Sequence, residues 1–178
     1  MLGILKRSVL SRKVSIWRQL YSTYVRPLVE FAVPVWSPYT KADINTIEKV
    51  QRKATKIPTA LANMDYDLRC KAMGLPHLQD RRRRGDLISR FKIERGFEEV
   101  NWHAKPSVTT HMGRTSYRRE LVKTNCNRHN FFNNRTAGAW TKINSSLQNN
   151  EPTSVNKFKA LLDASILTVA TASQRERL

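Results

Sequence analysis

The sequence predicts a mainly α protein, a small helical bundle with a basic, partly irregular segment and a C-terminal helix. Three observations predict it. Apolar residues recur every three or four positions over several stretches, most clearly at Ile44, Ile47, Val50, Ala54 and Ile57. Helix boundary signals flank these stretches: Thr40 with Asp43 before the first and Pro58 after it, then Asp65 and Gly74 around a second. The 178 residues are 40% hydrophobic, enough for the core of one domain, or of one domain and a small appendage.

Taken in order, residues 1–12 read as a short helix and a turn. Val14, Trp17, Tyr21, Tyr24, Leu28, Phe31 and Val35 then share helical spacing across Pro27. Pro27 removes a backbone donor, so the helix is expected to kink or to restart with Pro27 in its first turn. Trp17 and Trp36 are expected to fill core, with base stacking the alternative for Trp36 beside Pro34 and Pro38. The next helix, Thr40 to Ile57, carries its apolar stripe on one side. Lys49, Arg52, Lys53 and Lys56 lie off that stripe, a cationic face about two turns long. A brief helix from Asp65 to Met73 follows, capped by Asp65 and closed by Gly74. From Leu78 to Arg95 the stripe is Leu78, Gly85, Ile88 and Phe91. Gly85 there implies close helix packing or a weak point.

Residues 1–96 are thus read as a helical bundle, 97–134 as a basic, loop-rich segment, and 135–178 as a C-terminal helical segment packing on the bundle. Between positions 100 and 150, Lys105, Arg114, Arg118, Arg119, Lys123, Arg128, Arg135 and Lys142 face the single acid Glu120, a local balance of +7. Such a loop is flexible, or ordered on a polyanion. The last helix begins near Ser154, with Val155, Phe158, Leu162 and Ile166 as its stripe, and the tail ATASQRERL is expected to fray.

Charge decides the class of partner. Lys and Arg number 32 against 14 Asp and Glu, a formal net charge of +18. Nucleic acid is the usual polyanion for such a chain, and an anionic membrane surface is the competitor. No stretch approaches the roughly 20 apolar residues of a membrane span. The acid-free, basic start from Met1 to Val29 mimics a mitochondrial presequence. Cys70 and Cys126 lie in no CxxC and read as free thiols. Cys126 and His129 have a knuckle-like spacing without a second pair, so no metal site is assigned. Arg81, Arg82, Arg83 and Arg84 cover more than one helical turn, so they cannot share one partner. Phosphate contact is one reading, and pairing with Asp80 and Asp86 plus solvation is the other.

LYSTYVRPLVEFAVPVWSPYTKADINTIEKVQRKATKI, from Leu20, resembles the segment after the polymerase palm in endonuclease–reverse transcriptases of non-LTR (LINE-type, jockey-like) retrotransposons. Those commonly read along the lines of LYxxxVRPxLEYxxxVWSPxxxxDIxxLEKVQRRATK. The matches include Tyr21, Val25, Arg26, Pro27, Glu30, Trp36, Ser37, Pro38, Asp43, Ile44 and the run Glu48 to Arg52. The block DYDLRCKAMGLPHLQDRRRRGDLISRFKI extends the likeness through Arg69, Leu75, Leu78, Arg81, Arg82 and Arg84 to Ile88, and Phe91 to Ile93. Cys70 replaces the usual leucine. Phe131, Phe132, Arg135 and Trp140 resemble the family's FFxxRxxxxWNxLP element in part, with Thr141 in place of asparagine.

The resemblance implies a polymerase thumb, which holds a template–primer duplex by its backbone on a cationic helix face. It implies binding of RNA or an RNA–DNA duplex without sequence specificity, alongside the palm and fingers of a reverse transcriptase where the natural chain is longer. Lys49, Arg52, Lys53 and Lys56 are the expected phosphate contacts, with Arg81 to Arg84 next, and the location is intracellular, in nucleus and cytoplasm. No catalysis and no cofactor are expected. The family's palm carboxylates lie in an upstream (F/Y)ADD motif, and this sequence has no Asp-Asp pair, no HExxH, no GxSxG and no GxxxxGK. Two further expectations compete: a domesticated or decayed copy that acts as a basic protein-interaction module, and a fragment that does not fold alone.

Overall fold

A computed structural model describes residues 1–102, 108–111, 114–120, 126–147 and 152–164. Among them the protein is mainly helical with one two-stranded sheet, in the class the sequence predicts. Contacts separate two units, Met1–Arg83 and Arg84–Leu178. Ile166, Lys105, Lys123 and the tail, all named above, lie outside the described residues.

The first unit begins with α1 (Leu2–Ser8) and α2 (Val14–Leu20), which runs into a π-helical turn at Tyr21–Val25 and then α3 (Arg26–Glu30). Pro27 sits in the first turn of α3, as a restart requires. The π turn falls where proline leaves the helical ladder one donor short, and its wider winding changes which residues face inward. Buried positions step by four: Trp17, Tyr21, Val25 and then Val33. The stripe expected from Val14 to Val35 therefore breaks. Tyr24 and Leu28 are exposed where the π turn shifts the register, and Phe31 and Val35 are exposed beyond the end of the helix at Glu30, where Phe31 is extended and Ala32 left-handed. Trp17 is core, and its indole N–H donates to the Ser11 carbonyl at 2.7 Å. Trp36 is not core: it is exposed, and its indole N–H donates to the Phe31 carbonyl. Between Phe31 and α4 (Val33–Trp36), Ala32 takes a left-handed conformation (φ 51°, ψ 29°).

α5 (Lys41–Thr55) starts as expected. The Thr40 hydroxyl accepts from the Asp43 amide at 3.1 Å and donates to its carboxylate at 2.6 Å. After a single 3-10 turn, Thr59–Leu61, comes α6 (Tyr66–Met73). Asp65 accepts from the Asp67 amide at 3.2 Å, so these acids cap a helix. Gly74 closes α6 at φ 60°, where a Cβ would also lie 3.2 Å from the Arg18 guanidinium. Trp17, Tyr21, Val25, Ala54, Leu61, Met73 and Leu75 form the core of this unit.

α7 (Leu78–Glu94) contains the division between the units. Its buried residues are Leu78, Arg82, Asp86, Arg90 and Phe91, so a charged series spaced by four lies inward. At Gly85 an added Cβ would meet nothing within 4 Å, which rules out close packing there and leaves the weak-point reading.

In the second unit β1 (Val108–His111) pairs antiparallel with β2 (Arg114–Tyr117), Val108 opposite Tyr117 and His111 opposite Arg114. This hairpin lies in the segment expected to be loop-rich. β2 rests on α8 (Phe132–Leu147), where the Tyr117 amide donates to the Thr141 hydroxyl at 3.0 Å. Residues 155–164 form α9. Phe91 stacks on Phe158 with centroids 4.2 Å apart, and Trp140, Leu147 and Leu162 complete this second core.

Candidate nucleic-acid interface

Lys49, Arg52, Lys53 and Lys56 occupy positions i, i+3, i+4 and i+7 of α5 and its C-cap, and all four are exposed. Seven residues of helix span about 10 Å, over which one strand of a duplex presents roughly three phosphates. Among the described residues none of Lys49, Lys53 and Lys56 has a carboxylate in ion-pair reach. The negative end of the helix dipole lies at this end of α5 and favours cations there. Arg52 is held differently. Its guanidinium sits over the Tyr66 ring, 4.6 Å from the centroid, so one of the four cations is already oriented by an aromatic face.

The opposite side of α5 explains why the helix can present this face rigidly. Its most buried residues are not the expected isoleucines, which are half-buried, but Glu48, Gln51, Ala54 and Thr55. Gln51 is 0% exposed; its Oε1 accepts from the Tyr21 hydroxyl at 2.8 Å and its Nε2 donates to Tyr66 and the Pro76 carbonyl, both at 3.1 Å. The Tyr66 hydroxyl donates to Glu48 Oε1, which also accepts from the Leu78 amide at 3.3 Å and lies 3.4 Å from His77 Nδ1. Arg69 donates to the Thr55 hydroxyl at 3.2 Å. Burial pushes the Tyr21 phenol well above its ordinary value, helped by the Glu30 and Glu48 charges. Burial and the hydrogen bond to Glu48 do the same for Tyr66. Tyr66 thus joins the two sides of α5, with its ring under Arg52 and its hydroxyl in the buried network.

The arginine run is divided by its surroundings. Arg81 forms a bidentate pair with Glu30, and Arg84 another with Asp163 at 2.7 and 2.9 Å. Arg82 is 3% exposed, too deep to meet a phosphate on the surface. Arg83 is exposed and has no ion pair among the described residues. The expected partners Asp80 and Asp86 are not the ones used by Arg81 and Arg84. Asp86 instead takes Arg135 as a bidentate partner, both contacts 2.9 Å.

Sequence reasoning missed Tyr66, which lies 14 residues from Arg52 with no local signal to link them. It also placed Tyr24 and Phe31 inside. No group of three or more His, Cys, Asp or Glu among the described residues could hold a metal ion. The Cys126 sulfur instead accepts from the His129 amide at 3.4 Å within a turn. No described helix is long and apolar enough to cross a membrane.

Fold and site together describe a small, mainly helical, strongly basic protein with a rigidly backed cationic helix face. Comparison with protein-family models, with curated proteins and with solved structures finds no match.

Proposed function

We propose that this chain is the thumb and following region of a LINE-type reverse transcriptase and binds RNA or an RNA–DNA duplex through its backbone, without sequence specificity. It performs no catalysis of its own and works inside the cell, in nucleus and cytoplasm, beside a palm and fingers where the natural chain is longer. The observation that carries this reading is the face of Lys49, Arg52, Lys53 and Lys56: four exposed cations on one helix side, the three lysines without an ion pair among the described residues. Arg83 is the member of the arginine run with the best access to phosphate. The resemblance to the family covers this same helix, at Glu48 to Arg52, Ala54 and Thr55.

The test is titration of a labelled hybrid duplex at several salt concentrations with wild type and Lys53→Glu. Losing one phosphate contact lowers the slope of log affinity against log salt by roughly 0.7 to 0.9 and weakens binding on every sequence alike. Unchanged affinity and slope in Lys53→Glu overturn the assignment of this face.

A further inference from the structure

From Tyr24 to Tyr39 the first unit exposes an unusual run of aromatic and apolar side chains. Tyr24 is 52% exposed, Phe31 77%, Trp36 39% and Tyr39 41%, with Leu28 and Val35 exposed among them. The hydrogen bond from Trp36 to the Phe31 carbonyl ties two of these aromatics to one turn. The left-handed Ala32 sits in that turn, and among the described residues it is the non-glycine with positive φ. Alanine there costs about 1 kcal/mol or more, and such strain tends to persist where a surface is used.

We infer that this aromatic surface is a stacking platform for unpaired bases, a single-stranded subsite separate from the duplex-gripping face of α5. The inference rests on the nucleic-acid reading above and deepens it. Charge complementarity selects the occupant. The first unit holds 16 Lys and Arg against 6 Asp and Glu, and residues 31–40 carry no charge at all. Glu30 at the border is neutralised by its bidentate pair with Arg81 and lies 3.8 Å from Arg26. Asp43 is held by the Thr40 hydroxyl, and Lys41 stands beside it. A phosphate chain crossing this surface therefore meets no free carboxylate on residues 24–42. A second copy of the chain would bring a second unit of the same sign against the first. Exposed aromatic side chains suit bases, and bases offer their own faces only when unstacked.

The experiment uses the full chain, an oligouridine of about 12 nucleotides, and a hybrid duplex of the same length. Phe31→Ala and Trp36→Ala are each expected to weaken the single strand by about 5-fold or more and to leave the duplex within about 2-fold. Phe31 is so exposed that its removal leaves the core intact, which keeps the test informative should Trp36→Ala fold poorly. Oligouridine should also quench tryptophan emission in wild type and lose much of that effect in Trp36→Phe, since Trp17 and Trp140 are each 1% exposed and the half-buried Trp102, stacked on Phe132, supplies the part that remains in the variant. Single-strand affinity unchanged in both alanine variants overturns the platform while the duplex reading stands. A wild-type chain that binds neither probe overturns both. If sedimentation shows that the variants instead dissolve a dimer, the surface is a contact between copies and the platform falls.

Discussion

Replacing Gln51 with alanine removes the centre of the network behind the cationic helix. Three hydrogen bonds with oxygen partners disappear, from Tyr21 at 2.8 Å and to Tyr66 and the Pro76 carbonyl at 3.1 Å, along with a weak one to the Cys70 sulfur at 3.6 Å. Each of the three contributes about 1 kcal/mol net, and the vacated volume at a position with no exposure adds about 1 more, for a total of about 4 kcal/mol. The Tyr66 hydroxyl still donates to Glu48, so the phenol left without an acceptor is that of Tyr21. Tyr21→Phe alone leaves Gln51 Oε1 without its donor and costs about 1 to 2 kcal/mol. In the double variant neither orphan exists. Its destabilisation should then fall short of the sum by about 1 to 2 kcal/mol. Urea unfolding of the four proteins at neutral pH measures the coupling. Melting points offer a second reading, with Gln51→Ala lower by about 10 °C for a chain of this size. Additivity within about 0.5 kcal/mol would refute the reasoning, because it would mean that Tyr21 and Gln51 do not satisfy one another.

Asp86→Ala takes the carboxylate from Arg135 in a pair only 8% and 18% exposed, and should cost about 3 to 5 kcal/mol in urea unfolding. Asp163→Ala breaks a pair that is 54% exposed on the acid side and should cost no more than about 1 kcal/mol. Gly85→Ala should stabilise α7 by roughly 0.5 to 1 kcal/mol and raise the melting point, since the added methyl meets nothing; a lower melting point would show that the space is filled. Stability should also fall in alkali. Folding holds the Tyr21 and Tyr66 phenols above their ordinary value of 10.0, and burial lifts the Cys70 thiol above 9.0. The folded chain keeps these protons at pH values where the unfolded chain has lost them, so their stabilisation is complete below the ordinary values and declines above them. Each phenol adds a slope of about 1.4 kcal/mol per pH unit in that range. Melting points recorded between about pH 8 and about pH 11 test this, and a flat profile would contradict it.

The parts of the fold legible in the sequence are those set by neighbours in sequence. Thr40 with Asp43, and Asp65 with Gly74, mark helix ends through contacts two to five residues long, and both helices form there. The cationic face of α5 follows from 3.6-residue spacing alone. What stays hidden depends on distant partners. Glu48 and Gln51 lie off the apolar stripe, and Arg82 reads as a phosphate contact or a partner of Asp80 or Asp86, yet Glu48, Gln51, Arg82 and Asp86 are all buried, which no local pattern reveals. Arg81 and Arg84 look alike in the run, but their acids are 51 and 79 residues away. The π turn shifts the apolar register after Tyr21, and the helix then ends at Glu30, so a continued helical count places Tyr24 and Phe31 wrongly. The hairpin of VTTH and RTSY has β-branched threonines but only four residues a side and no apolar alternation.

The two cysteines give the molecule a pair of built-in clocks. Cys126 is half-buried in a turn, and Cys70 is 4% exposed beside Gln51 on α6, with burial holding its proton on. A thiol reagent meets Cys126 on its own chemical timescale. It meets Cys70 only when α6 lifts from α5, so the lag between the two labels counts openings of the helix pair beneath the basic face. If a bound nucleic acid lengthens that lag, the grip on the polyanion and the firmness of its support become one measurable quantity, read at the protein's own two thiols.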